Sequence, residues 1–118
     1  MELIDHIAEY LNGNGFTAVS GAMPIAPDRI AAVYATGVRP RGDDEGSRFQ
    51  VMVRSEADRD TAMADALAIA DLLDDFSGMT GIDSPYFARI VLESGVAALG
   101  ADENRRALYS ANFRAWIC

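Results

Sequence analysis

The stretch RFQVMVR, residues 48–54, alternates between two kinds of side chain without a break. Phe49, Val51 and Val53 fall on one side of an extended chain, and Arg48, Gln50, Met52 and Arg54 fall on the other. A strand produces this period of two because successive side chains point to opposite faces of a sheet. The stretch therefore predicts a half-buried strand, and one solvated face is typical of antiparallel pairing.

The same alternation returns at the C-terminal end of the chain. Residues Arg106–Ile117 place Tyr109 and Phe113 on one face, and Tyr86–Glu93 predicts a further strand. The Gly- and Asp-containing segment Gly95–Arg105 between them predicts a long loop. The last third of the chain is therefore expected to form a hairpin.

Two helices are predicted. Apolar residues recur with helical spacing over Leu3–Leu11, and Asn12–Gly15 suits a left-handed helix end. The second helix is expected to start at the cap Ser55, to reach Phe76 and to stop at Gly78. Its predicted apolar stripe consists of Ala62, Met63, Ala66, Leu67, Ile69, Ala70, Leu73 and Phe76.

The remaining segment precedes the central strand. Two prolines make Met23–Asp28 extended and non-helical, Arg29–Ala35 predicts a strand, and Gly37–Gly46 predicts a long hairpin loop. The predicted fold is α+β with the order αββαββ, its two helices packed on one face of a four-stranded, mainly antiparallel sheet. The predicted core is Ile7, Leu11, Phe49, Val51, Val53, Ile69, Leu73, Ile90, Leu92, Tyr109, Phe113 and Ile117.

Composition narrows the function classes. The chain has 118 residues, the size of one domain, with a single Cys and a single His. A disulfide framework is excluded and a Cys/His zinc site is not expected. The net charge of −8 disfavours binding to nucleic acid or to an anionic membrane. No apolar run approaches the roughly 20 residues that a membrane span needs.

The search for catalytic or metal-binding groups finds little. His6 lies beside the apolar stripe of the first helix, with no nucleophile or orienting acid spaced to serve it. Asp43–Glu45 could hold a divalent cation, but a solvated hairpin tip is the better interpretation because three adjacent acids do not converge on one ion. A terminal thiol at Cys118 is expected to be inert. We therefore expect no catalytic residue, no cofactor and no metal.

Candidate interface residues fall in two groups. The first is the sheet face opposite the core, where Met52, Arg54, Arg114 and Trp116 mix residue types that are enriched at protein interfaces, although an ordinary surface explains them equally well.

The second group lies at loops and at a helix end. Asp74 and Asp75 oppose the dipole at the end of the second helix, which an Arg of another chain would relieve. Arg39 and Arg41 in the long Gly37–Ser47 loop could form such bidentate pairs. Asp102 and Glu103 complete the hypothetical interface, although they are also ordinary turn residues.

Several motifs resemble one family in their order and spacing. The motifs are Pro24-x-x-Pro27-Asp28 followed by residues 30–34 (IAAVY), residues 49–54 (FQVMVR), residues 71–73 (DLL), residues 99–104 (LGADEN) and residues 109–113 (YSANF). The chain resembles the minor capsid or tail-terminator (tail-completion) proteins of long-tailed bacteriophages and related prophages. The resemblance covers nearly the whole chain.

The resemblance implies a single tail-terminator-like domain over residues 1–118 and a structural, non-enzymatic role in the virion neck. It implies a ring, usually a hexamer, that caps the tail tube and joins it to the head through a neck protein. Such a protein is expected to be made in the host cytoplasm. The net charge of −8 predicts that DNA passes through the ring without specific binding. Two alternatives stay open: another head–tail connector such as a stopper or adaptor, and a small-molecule-binding α+β domain, which needs a pocket with convergent polar groups.

Overall fold

The computed structural model describes residues 2–37, 46–56 and 59–117. Its helices are α1 (Leu3–Gly13) and α2 (Arg59–Leu73). Its strands are β1 (Ala18–Ser20), β2 (Ile30–Gly37), β3 (Ser47–Arg54), β4 (Gly78–Met79), β5 (Tyr86–Ala101) and β6 (Ala107–Ile117). The strand order in the sheet is β1-β2-β3-β6-β5-β4.

The predicted fold class is wrong in the sheet and in the packing of the helices. The sheet has six strands rather than four, and it is mixed because β1 runs parallel to β2. Helix α1 packs against β1 and β2 near one edge, whereas α2 packs against β3, β5 and β6, so the helices do not form the simple layer expected on four strands. Strands β1 and β4 have three and two residues, which is too short for side-chain alternation to reveal them.

The central strands follow the predicted alternation. Strand β3 pairs antiparallel with both β2 and β6, and Phe49 lies opposite Phe113 with ring centroids 5.1 Å apart. Both phenylalanines are fully buried. The alternation that starts at residue 48 therefore sets which face of the sheet carries the core.

The hydrophobic core contains most of the predicted residues. Ten of the twelve are buried. Leu92 is half-buried against the core, and Ile117 is 47% exposed at the end of β6. Phe87 is fully buried and was not predicted. A register shift between Phe87 and Arg89 breaks the alternation of β5, so a strict period of two misplaces Phe87.

The segment Gly95–Arg105 is mostly strand, not the long loop that its composition predicts. Strand β5 continues to Ala101 and pairs with β6 up to Ala107, through register shifts on both sides of Ser94 and between Ala98 and Gly100. The connecting turn is short, and the backbone N–H of Asp102 donates to the carbonyl of Arg106 at 3.0 Å. Gly and Ala disfavour strands, and in this part of β5 the hydrogen-bonded pairing with β6 stabilises the strand.

Helix α2 is shorter than predicted and exposes part of its predicted stripe. It begins at Arg59 and ends at Leu73, and Asp75 adopts a left-handed backbone with φ of 63°. Ser55 is buried, and its backbone N–H donates to the carbonyl of Ala107. Met63 and Leu67 are 41% and 48% exposed, because the sheet contacts only the side of α2 that carries Ala62, Ala66 and Ile69.

The outer edge of β1 is closed by a side chain of α1. The Asn12 amide accepts the backbone N–H of Ala18 and donates to the carbonyl of Ala18, both at 2.9 Å. One side chain thus occupies both ladder groups that an edge residue would otherwise offer to another strand.

We predict that Asn12→Ala lowers the free energy of unfolding by about 1–3 kcal/mol, because two backbone groups of Ala18 lose their partner. Asn14→Ala is the control: Asn14 makes one exposed bond to the Tyr10 carbonyl, and its loss is expected to have the smaller effect. Urea unfolding of both variants measures the difference. Equal effects of the two substitutions would contradict the account of this edge.

Candidate assembly surfaces

Two arginines fix the proline-containing segment Pro24–Asp28 to the sheet; we call Arg54 and Arg106 the arginine clamp. The Arg54 guanidinium donates to the carbonyls of Pro24 (2.7 Å), Ile25 (3.2 Å), Pro27 (2.6 Å) and Asp28 (3.0 Å). Arg54 is only 2% exposed. The sequence predicts Arg54 as an interface residue, and the structure places it inside the fold with its donors directed at the protein's own backbone.

Arg106, the residue before the neighbouring strand β6, completes the clamp. Its guanidinium donates to the Ile25 carbonyl, to Asp102 at 2.7 Å and to Asp28 at 3.2 Å. Arg106 is not among the predicted site residues, although its spacing of four residues from Asp102 is a signal visible in the sequence. Asp102 is therefore bound within its own chain, while Glu103 beside it is exposed.

The charges of the clamp depend on one another. Burial is the main cause that lowers the pKa of Arg54, and the positive charge of Arg106 lowers it further. Burial also acts to lower the pKa of Arg106, but hydrogen bonds to Asp102 and Asp28 outweigh it and leave that pKa raised. For Asp102, burial acts to raise the pKa, yet the hydrogen bonds from Arg106 and Asn104 outweigh it and the pKa is lowered.

The clamp holds the backbone that presents Ile25. The Ile25 side chain is 83% exposed although its carbonyl is bound by both clamp arginines. A large apolar side chain on a fixed backbone loses little entropy on binding, so it is suited to a contact with another protein.

The side of the sheet that faces away from the core carries a cluster of charged and large side chains. We call Arg48, Met52, Glu93, Arg114 and Trp116 the open sheet face; Arg48 and Glu93 are exposed, and the other three are half-buried. Glu93 joins two arginines here, with Oε1 3.1 Å from Arg48 Nε and Oε2 2.6 Å from Arg114 Nη2. The Arg114 guanidinium lies 5.8 Å from the centre of the Trp116 ring. The face is therefore rich in Arg, Trp and Met, with one acid among them.

Helix α2 also has an outer face. The exposed residues that follow helical spacing there are Asp60, Met63, Ala64, Leu67, Ala68, Asp71 and the adjoining Asp74. We call this set the α2 outer face. Its centre is apolar and its two ends are acidic.

The predicted acids at the end of α2 make contacts within the chain. Asp74 accepts the backbone N–H of Leu92 at 2.9 Å, and Asp75 pairs with Arg89 at 2.9 Å. The side chains of Asp75 and Arg89 are both more than half exposed, so water weakens the attraction between them. The structure thus shows what these acids contact in one copy, and their pairing with another chain stays a prediction.

Some predicted residues lie outside the described residues. They are Arg39 and Arg41, most of the Gly37–Ser47 loop, the acids Asp43–Glu45, and Cys118. Within residues 2–37, 46–56 and 59–117, no three His, Cys, Asp or Glu side chains are grouped as metal ligands. His6 is buried on α1. No helix in this described part is long and apolar enough to cross a membrane.

A cleft of about 190 Å³ lies between α2, β2 and the end of α1. Its two charged side chains, Arg29 and Asp65, are paired with each other through two hydrogen bonds of 2.8 Å. Small-molecule sites usually occupy about 300–1,000 Å³ and aim polar groups at the ligand. The cleft is small, and its charged groups already have partners.

The described residues thus form a small, sheet-rich fold whose notable exposed features are apolar and charged patches. The family of bacteriophage tail terminator proteins matches residues 10–117, and the chain belongs to this family. It is accordingly a structural phage tail protein.

Other comparisons agree at the level of the fold. A chain in the solved structure of the virion of a native gene transfer agent particle is similar, with a TM-score of 0.62 and 18% sequence identity. The similar region covers 92% of this chain and 83% of that chain. No curated protein sequence matches.

We predict that Arg54→Lys lowers the free energy of unfolding by at least about 2 kcal/mol, because a lysine cannot reach four carbonyls from one position. Arg89→Lys is the matched control, since Arg89 forms an exposed pair whose loss changes stability by less than about 1 kcal/mol. Chemical denaturation compares the two. A change at Arg54 no larger than that at Arg89 would rule out a structural role for the clamp.

We also predict a pH-dependent role for Asp102. The pKa of Asp102 is lower in the folded chain than in the unfolded chain, so its carboxylate stabilises the fold at neutral pH. This contribution begins to decrease near the unfolded pKa of about 4 and is lost as the pH falls through the folded pKa. The stability difference between the wild type and Asp102→Asn is therefore expected to be largest near neutral pH and to shrink in acid. Unfolding curves across this range provide the test, and a difference independent of pH would contradict it.

Proposed function

We propose that the chain is the ring-forming tail terminator of a phage-type particle, a single domain whose six copies close a ring. The ring caps the end of the tail tube and joins it to a head-side neck protein. The observation that carries this proposal is the family match over residues 10–117, which spans nearly the whole chain. The similar fold in a gene transfer agent virion supports the same architecture.

A terminator has to contact its own copies and two further partners. The described surface offers separate features for these contacts. Ile25 is held by the clamp at the end of the sheet where β3 finishes, whereas Met79 and Tyr86 lie where β5 begins. Because β3 and β5 both run antiparallel to β6, they run in the same direction and these apolar groups lie at opposite ends of the sheet. Such an arrangement supports a subunit that links two different structures.

The charge of the chain bears on the passage of DNA. A net charge of −8 on each copy makes a ring of six strongly negative, so the ring repels the phosphate backbone. We infer that DNA passes the ring without specific binding. The role is structural, and we propose no catalytic activity.

Two alternatives differ in what supports them. A stopper or adaptor would share the neck and the structural role, but the matching family is that of the terminators. A small-molecule-binding domain needs polar groups that converge on a ligand. The Arg29–Asp65 cleft has its charged groups paired internally, and a groove of about 310 Å³ beside Leu3 and Ile4 is lined mainly by apolar surface. The terminator is therefore the function that we propose.

Self-association and a defect in tail completion test the proposal together. We predict that the purified chain forms a discrete ring of six copies by native mass spectrometry. We further predict that particles lacking the chain accumulate separate heads and tails, because nothing joins the capped tube to the neck. Supplying the chain from a plasmid is expected to restore complete particles.

Two results would overturn the proposal. One is a chain that stays monomeric up to high concentration, alone and in the presence of tail tubes. The other is a deletion whose particles are complete and infective or transfer-competent.

A further inference from the structure

We propose that the α2 outer face of one copy docks on the open sheet face of the next copy. This contact rests on the ring of the proposed function and names the surfaces that would build it. Both surfaces belong to the same chain, and they lie on opposite sides of the core because α2 packs on one face of the central strands and Arg48, Met52 and Trp116 alternate onto the other.

The first surface is unusual for a helix that covers a sheet. Such a helix normally buries its apolar stripe and exposes polar residues. Helix α2 buries one apolar stripe and exposes a second, with Met63 and Leu67 41% and 48% accessible. Ala64 and Ala68 beside them are also exposed, and their small side chains allow another surface to approach closely.

The second surface complements the first in chemistry. Met52 and Trp116, both half-buried, offer part of their apolar area, and Arg48 and Arg114 flank it, with Glu93 paired to both. The α2 outer face carries acids at both ends, including Asp71 and Asp74. An apolar centre with acidic ends thus meets a smaller apolar area flanked by side chains of net positive charge, and opposite charges of this kind favour specific association.

The placement of the two surfaces favours a second copy as the occupant. A contact between two different patches of the same protein is heterologous, and repeated around a closed path it generates a ring. The two surfaces of one copy cannot contact each other because the sheet lies between them. The same contact, used by every copy, leaves neither surface exposed in a closed ring.

Two single variants, mixed, test this directional contact. Leu67→Glu places a charge in the α2 outer face and leaves the open sheet face intact, and Met52→Glu does the reverse. Each alone is expected to weaken self-association by at least about thirtyfold, the effect of losing a central interface residue. An equimolar mixture is expected to form one-to-one pairs that do not grow further. Each pair joins the two intact surfaces, and only the two altered surfaces remain exposed.

Ile82→Glu is the matched control. Ile82 is 94% exposed and belongs to neither surface, so this variant is expected to assemble as the wild type does. Far-UV circular dichroism and urea unfolding check that each variant is folded. If Met52→Glu unfolds, Arg114→Gln replaces it on the same face, and Met63→Glu similarly replaces Leu67→Glu.

The outcomes separate this contact from the proposed function. If the wild type forms rings and folded Leu67→Glu forms them equally well, the contact is wrong and the terminator proposal stands. If mixed, folded variants stay monomeric, or Ile82→Glu disrupts rings as strongly as Leu67→Glu, the contact is also wrong. A wild type that never self-associates, with or without tail tubes, overturns the proposed function as well.

Discussion

The pairing of β3 with β6 is the constraint on which the rest of the structure depends. In this register Phe49 stacks on Phe113 beneath the helices, and the alternate residues Arg48, Met52 and Arg114 emerge on the other side. A shift by one residue would exchange the two faces and place arginines in the core. One register therefore creates both the hydrophobic core and the surface to which we assign a contact.

The ends of the same two strands explain how an irregular segment becomes fixed. Arg54 closes β3 and Arg106 precedes β6, so antiparallel pairing brings both guanidinium groups to one end of the sheet. There they bind the carbonyls of a segment that contains two prolines and has no strand partner. Buried arginines are costly unless their donors are used, and here backbone carbonyls and two carboxylates use them. The exposed Ile25 is thus presented on an ordered backbone.

Sequence patterns predicted the elements that have a strict period and missed those that depend on tertiary contacts. The alternation of residues 48–54 and the helical spacing of Leu3–Leu11 predicted β3 and α1 because each has one buried side. Strands β1 and β4 were missed because pairing alone defines such short segments, and the end of β5 was assigned to a loop because its Gly and Ala residues disfavour strands.

The candidate surface was predictable only in part. Met52, Arg114 and Trp116 were found because alternation separates them from the core. Arg54 follows the same alternation, but its length lets it fold back onto the chain, which no local pattern reveals. Met63 and Leu67 were assigned to the apolar stripe of the second helix because spacing shows which helix positions are apolar but not which side the sheet covers.

The central claim is that the chain closes a ring at the end of a tail tube. Electron cryomicroscopy of purified particles at the junction of head and tail tests it most directly. The account predicts a ring of six copies on the tube end, with α2 of each copy against the sheet of the next. A junction without this chain, or copies bound singly with no contact between them, would contradict it.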